Sequence, residues 1–170
     1  MPVLVPDSTD YGGGEGGCLI AWDLYYDNGN WVHRVYTNQV AWMGGVAVFT
    51  PWFFPVSSTS PEPTYPSIAR PSFTSPGLIA RAFIVWEGAG ESSPCSPPRQ
   101  KDVWGNYAEY DSTLAPIWQD ERMVGPGPGD YEQRRPITMT SAPHSVSVFW
   151  LDDRAGNKGI VGTRVTNLLD

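Results

Sequence analysis

Trp22, Trp86 and Trp150 recur at a constant step of 64 residues, and this spacing constrains the fold more than any other feature of the chain. Each closes a short apolar run and is followed, at once or one residue later, by an acid. The runs are Cys18-Leu19-Ile20-Ala21-Trp22-Asp23, Ala82-Phe83-Ile84-Val85-Trp86-Glu87 and Val146-Ser147-Val148-Phe149-Trp150-Leu151-Asp152. A shared period with a shared local pattern marks a repeat architecture, in which each unit buries its apolar surface against its neighbours. Function in such chains resides in sites on or between units more often than in one buried catalytic centre.

The repeat extends beyond the tryptophans. Pro2 and Pro66 each stand 20 residues before their tryptophan, and Pro136 stands 14 before Trp150. A second β-type run follows each tryptophan: Trp31 to Tyr36, Trp104 to Tyr110 and Gly159 to Val165. The first two units run on to a further tryptophan, Trp42 and Trp118, whereas the sequence stops at Asp170 before the third would arrive. About two and a half units of roughly 64 residues result, approximately 1–64, 65–134 and 135–170, within a single repeat-built β domain spanning 1–170.

The local chemistry predicts strands. The runs are rich in Val, Ile, Phe, Tyr and Trp and are bounded by Gly, Pro, Asn and Asp. Asp27-Asn28-Gly29-Asn30 is a hairpin turn, because Asn-Gly accepts the positive φ that such turns need, and Ala155 to Gly159 does the same in the third unit. The matching turn of the second unit carries an insertion from Gly88 to Asp102. Residues 6–17, Pro51 to Pro66 and Gly125 to Asp130 read as loops, and no window has the period and caps of an amphipathic helix.

Composition bounds the function. Charged residues make up only 17%, beside 18 Gly and 17 Pro, which suits a loop-rich all-β protein and not a disordered one. A formal charge of −7 argues against nucleic acid or an anionic membrane surface as partner. No apolar stretch is long enough to insert in a bilayer as a helix. The start, Met1-Pro2-Val3-Leu4, lacks the basic and apolar regions of a signal peptide; its place near a repeat boundary suits an excised piece, a mature subunit or a partial reading frame. Cys18 reads as a buried thiol and Cys95 as a loop thiol, with a disulfide between them left open. Without a Cys-x-x-Cys pair, and with only His33 and His144 for imidazole, no zinc site is expected.

Trp150-Leu151-Asp152-Asp153-Arg154-Ala155-Gly156, followed by Ile160 to Val165, resembles the Trp-x-Asp-x-Arg-x-Gly blades of sialidase-like, Asp-box-bearing β-propeller repeats of secreted bacterial proteins. Trp22-Asp23 through Asp27-Asn28-Gly29 to His33-Arg34-Val35 is a looser match. The resemblance implies propeller-like blades of antiparallel strands and a location outside the cell or at its surface. Closed propellers usually have at least about four blades, so two and a half units would be incomplete as a closed ring. A longer parent chain, self-association or an open stack would each cover the strand edges left over.

Trp22, Trp86 and Trp150 read as structural: apolar residues precede each, and a regularly repeated ring suits packing between units. Trp31, Trp42, Trp104 and Trp118 lie nearer loops and are the candidates for stacking on a glycan, with Arg34 and Arg164, which fall at matching repeat positions, as polar partners. Asp23, Glu87, Asp152 and Asp153 are candidate general acids, calcium ligands or turn formers, and the turn-forming role is favoured. A glycosidase needs two carboxylates at a defined separation, which acids repeated in different units do not by themselves supply. A sialidase also needs an arginine cluster, but Arg135-Pro136-Ile137 reverses the order of its Arg-Ile-Pro signature. No cofactor or metal is expected; Asp27 to Asn30 has the oxygen-rich character of a calcium loop without the spacing of an EF-hand. The expectation is a non-catalytic surface module that recognises glycans. The alternatives are a fragment of a sialidase-like glycosidase and a structural subunit that polymerises by completing sheets between chains.

Overall fold

A computed structural model describes residues 2–7, 17–24, 33–49, 54–57, 63–70, 80–89, 101–110, 116–118, 121–125, 132–142, 145–154, 156 and 158–166. Regular structure among them is strand only, arranged as three antiparallel sheets. The first sheet contains β1 (Val3–Asp7), β2 (Gly17–Leu24) and β3 (Arg34–Met43), with β4 (Val46–Phe49) and β5 (Phe54–Pro55) both paired to β3. The second contains β6 (Thr64–Ala69), β7 (Ala80–Ala89) and β8 (Lys101–Tyr110), with β9 (Pro116–Trp118) and β10 (Arg122–Met123) both paired to β8. The third contains β11 (Gln133–Ala142), β12 (Ser145–Asp152) and β13 (Gly159–Val165).

Each tryptophan of the 64-residue step sits on the middle strand of a three-strand meander, opposite Tyr36, Trp104 and Val161 respectively. The prolines mark a second shared device. In β6 and β11 the pairing slips between Thr64 and Ser67 and between Arg134 and Ile137, and Pro66 and Pro136 lie inside these bulges. Proline cannot donate to a ladder and is tolerated at bulges. The residues before them, Tyr65 (φ 52°) and Arg135 (φ 50°), take the left-handed conformation that L residues avoid.

The fourth strand is also repeated, in two pieces. Tyr36 pairs with Pro55 and Thr37 with Phe54; Trp104 pairs with Met123 and Gly105 with Arg122. Just beyond, Val56 N donates to Val35 O at 2.7 Å, and Val124 N donates to Val103 O at 2.8 Å. Trp42 and Trp118 are not counterparts, contrary to the sequence reading. Trp42 belongs to β3 and pairs with Ala47, whereas Trp118 belongs to β9 and pairs with Ala108. The partner that matches Trp118 is Phe49, opposite Val40. A tight turn at Gly44 (φ 59°) and Gly45 (φ 77°) joins β3 to β4, whereas five residues separate β8 from β9, so the offset between the units changes here.

The three sheets stack face to face. Leu19, Ala21 and Val35 of the first sheet meet Ile68, Ala82, Ile84, Trp86 and Trp104 of the second. Ala69, Phe83, Val85 and Val103 on the other side of the second sheet meet Val146, Val148 and Trp150 of the third. Burial on both faces explains why Ala82 to Trp86 is apolar without alternation. Both interfaces share a layout: β6 touches β1, β2 and β3, and β11 touches β6, β7 and β8. No ring closes among the described residues.

Candidate functional site on the third sheet

Side chains of a strand alternate between faces, so Val146, Val148, Trp150 and Asp152 turn toward the second sheet while Phe149 and Leu151 turn away. Cross-strand pairing adds Ile137, Met139, Ile160 and Arg164 to the outward face. Ile160 is 78% exposed, Ile137 64% and Met139 54%. Their register counterparts in the second sheet are Val103, Ser67 and Ala69; Val103 and Ala69 are buried beneath the third sheet and Ser67 is half-buried at the same joint. Gly162 and Gly105 are counterparts as well. A Cβ on Gly162 would lie 2.5 Å from Phe149 Cδ1, and one on Gly105 would lie 2.7 Å from Val124 Cγ2 and 3.0 Å from Phe83 Cζ, so in both sheets a glycine makes room for apolar side chains.

The rim strand of this sheet is the second element of the site. β3 and β8 each carry β-pairing on both sides, whereas among the described residues β13 pairs only with β12. Val161 and Gly162 occupy the positions at which β5 and β10 dock in the other sheets, and Ile160 O matches the acceptor carbonyls of Val35 and Val103.

The Trp-x-Asp-x-Arg-x-Gly segment at one end of the face is a turn device. Trp150 Nε1 donates to Asp152 Oδ2 at 3.1 Å, while Arg154 Nε and Nη2 donate to the same carboxylate, each at 2.8 Å. Arg154 N donates to Asp152 Oδ1 at 3.0 Å. These hydrogen bonds, led by the Arg154 guanidinium, hold the Asp152 carboxyl below its ordinary pKa despite burial. Gly156 (φ 74°) closes the turn through its N–H to Asp153 O, and Asp153 Oδ1 accepts from Glu132 N at 2.7 Å. Glu132, Arg134, Leu151 and Lys158 complete a shallow cleft beside this network.

Glu87 joins two sheets. It accepts from Thr64 Oγ1 at 3.2 Å and from Arg135 N at 2.9 Å, and the Arg135 guanidinium lies 5.8 Å from the centre of the Tyr65 ring. Asp102, read from sequence as the end of a loop insertion, is a buried strand residue whose carboxyl is pushed up to about 6 by desolvation. Among the described residues no group of His, Cys, Asp and Glu is arranged to hold a metal ion.

Of the glycan candidates, Trp104 is an interior residue, not a loop platform. It is 7% exposed within the first core, and its Nε1 meets no acceptor among the described residues. Trp31 and Asp27 to Asn30 lie outside the described residues, as do the side chains of Trp42 and Trp118. Arg34 and Arg164 are not counterparts: Arg34 opens β3 opposite Leu24, whereas Arg164 lies near the end of β13 opposite Ser147. Arg164 Nε and Nη2 donate to Ser145 Oγ at 3.0 and 2.8 Å. Trp86 and Trp150 are buried between sheets, whereas Trp22 is half-buried and stacks on Tyr36 with centroids 6.1 Å apart. Cys95 lies outside the described residues, and with it the disulfide to Cys18 that the sequence leaves open. No helix among the described residues is long and apolar enough to cross a membrane. Compared with family models, curated proteins and solved structures, the chain matches none of them.

Proposed function

We propose that this chain is a non-catalytic scaffold module of propeller-like blades that works by association, accepting a further β-strand at β13. One observation carries the reading: the first two sheets share a broken fourth strand, down to Val56 N to Val35 O and Val124 N to Val103 O, and β13 presents the same docking positions on its outer side. Sheet edges with backbone donors and acceptors left over are templates for strand addition. The acids support a structural role in preference to hydrolysis, since the Asp152 and Glu87 carboxylates are engaged by turn and inter-sheet hydrogen bonds. Glycan recognition needs exposed ring faces, and the burial of Trp104 removes one of its four tryptophans.

A labelled peptide copying residues 116–125, the fourth-strand region of the second sheet, tests the reading by fluorescence anisotropy. The peptide is expected to bind the full chain, and N-methylation at Val124, which removes the donor used in its own sheet, is expected to abolish binding. Equal behaviour of the two peptides would sink the reading. A glycan array carried out in parallel tests sugar recognition directly.

A further inference from the structure

We propose that the outward face of the third sheet is a stacking surface for a second copy of this chain, which lays its β1 across β11, β12 and β13 with its Trp22 face inward. The inference rests on the scaffold reading and names its partner. It follows from an interface that the chain builds twice: the first strand of a later sheet crosses the three meander strands of the sheet before it, with the later sheet's tryptophan face turned inward. The outward face of the third sheet corresponds in register to the two faces covered in this way, yet Ile137, Met139 and Ile160 are exposed. The complementary half stands at the other end of the stack. Ala82, Ile84 and Trp86 are buried, as are Val146, Val148 and Trp150, whereas their counterparts Cys18, Ile20 and Trp22 are only half-buried, and Leu24 on the same face is 40% exposed.

One chain therefore displays both halves of its own repeated joint, on opposite ends. A contact between them is heterologous: it closes into a ring when the rotation permits and grows into a filament when it does not. Among the described residues two copies bring six sheets, inside the range of roughly four to eight found in closed blade rings, and a dimer of this chain is the closed form to test.

Sedimentation velocity on the full chain tests this with two pairs of variants. Ile137→Glu and Met139→Glu alter the outward face on β11, the strand farthest from the β13 edge, so they separate face stacking from strand addition. Leu24→Glu and Ile20→Glu alter the other half; Leu24 is exposed enough to keep the fold if Ile20→Glu does not, and near-ultraviolet circular dichroism checks each variant. The wild type is expected to form a concentration-dependent dimer, and each folded variant to raise the dissociation constant by about tenfold or more. Mixing Ile137→Glu with Leu24→Glu is expected to restore a heterodimer, because one intact half of each kind remains. Failure to restore it would overturn the head-to-tail geometry and point to third sheets facing each other. A wild type monomeric at every concentration, or a dimer indifferent to Ile137→Glu and Met139→Glu, would overturn the proposal. In those cases binding of the 116–125 peptide shows whether the scaffold reading survives or falls with it.

Discussion

Replacing Gly125 with alanine is the sharpest test of the repeat, because the first and second sheets solve the same problem there with different residues. In the first sheet Ser57 follows Val56, and its Oγ accepts from Val35 N at 2.9 Å. In the second sheet Gly125 follows Val124, and the acceptor comes from the neighbouring sheet: Val103 N donates to Gln133 Oε1 at 3.4 Å. The glycine makes room for it, since a Cβ at Gly125 would lie 2.0 Å from Gln133 Oε1. Gln133 is fully buried, so its amide has little room to retreat. Gly125→Ala thus displaces the amide and leaves Val103 N without an acceptor in the interior, at a cost of about 1–3 kcal/mol, with overpacking adding about 1–3 kcal/mol. The lower unfolded-state entropy of alanine returns about 0.4–1 kcal/mol. The net expectation is about 1–5 kcal/mol, read as a lower midpoint at constant slope in urea unfolding. Gly125→Ser combined with Gln133→Ala transplants the first sheet's arrangement and is expected to recover at least half of the loss. A Gly125→Ala chain within about 0.5 kcal/mol of wild type, inside the usual range for a harmless surface change, would refute the reasoning.

Further outcomes follow from the same contacts. Gly162→Ala forces Phe149 off its position and should cost about 1–3 kcal/mol, seen as a lowered thermal midpoint. The Asp102 carboxyl, raised to about 6, makes folding bind a proton, so its stabilising contribution is complete below the unfolded value near 3.8 and is lost as pH rises through 6. Asp102→Asn should remove that pH dependence and stabilise the chain at pH 8 by about 1–2 kcal/mol after solvent screening; equal pH profiles for the two chains would count against it. Asp152 has the opposite sign: its lowered pKa contributes stability above the unfolded value that is lost as pH falls through the folded one, so Arg154→Met should shift acid unfolding to higher pH. Amide hydrogen exchange should be slowest in β7 and β8, which are covered on both faces, and comparable protection in β12 and β13 would contradict that hierarchy.

The all-β architecture was legible because Trp22, Trp86 and Trp150 hold the same place on three middle strands, each ending a run that sheet pairing fixes. The matching of later residues was not. Trp86 lies 18 residues before its cross-strand partner Trp104, whereas Trp22 lies 14 before Tyr36, so a step of 64 at the tryptophans becomes 68 between Val35 and Val103. Reading each second run on to its next tryptophan equated Trp42 with Trp118, although they lie 76 residues apart, and matching the runs that end in Arg-Val equated Arg34 with Arg164. Trp104 reads as lying near a loop because the predicted run starts at Trp104 itself; the strand already begins at Lys101, and Asp102 to Asn106 is buried. The outward face of the third sheet carries its own signal in the sequence. Ile137, Met139, Phe149 and Leu151 alternate with inward residues, and two apolar faces on a strand pair ask for cover on both sides.

Apolar burial alone does not fix how one sheet lies on another, because the hydrophobic effect has no direction. The joint between the second and third sheets is pinned by directional bonds: Arg135 N to Glu87, Thr138 N to Ser67 Oγ at 3.0 Å, Thr140 Oγ1 to Arg70 O and Val103 N to Gln133 Oε1. Leu151 stands where Glu87 does in the second sheet, so the outward face lacks the carboxylate that receives the bulge of an incoming first strand. Its arginines, Arg134 and Arg164, lie toward opposite ends, and both are already engaged, with Glu132 and Ser145. A sheet docking there would gain apolar cover but few of the bonds that set register. The proposed external joint should therefore be weaker and more readily reversed than the two internal ones.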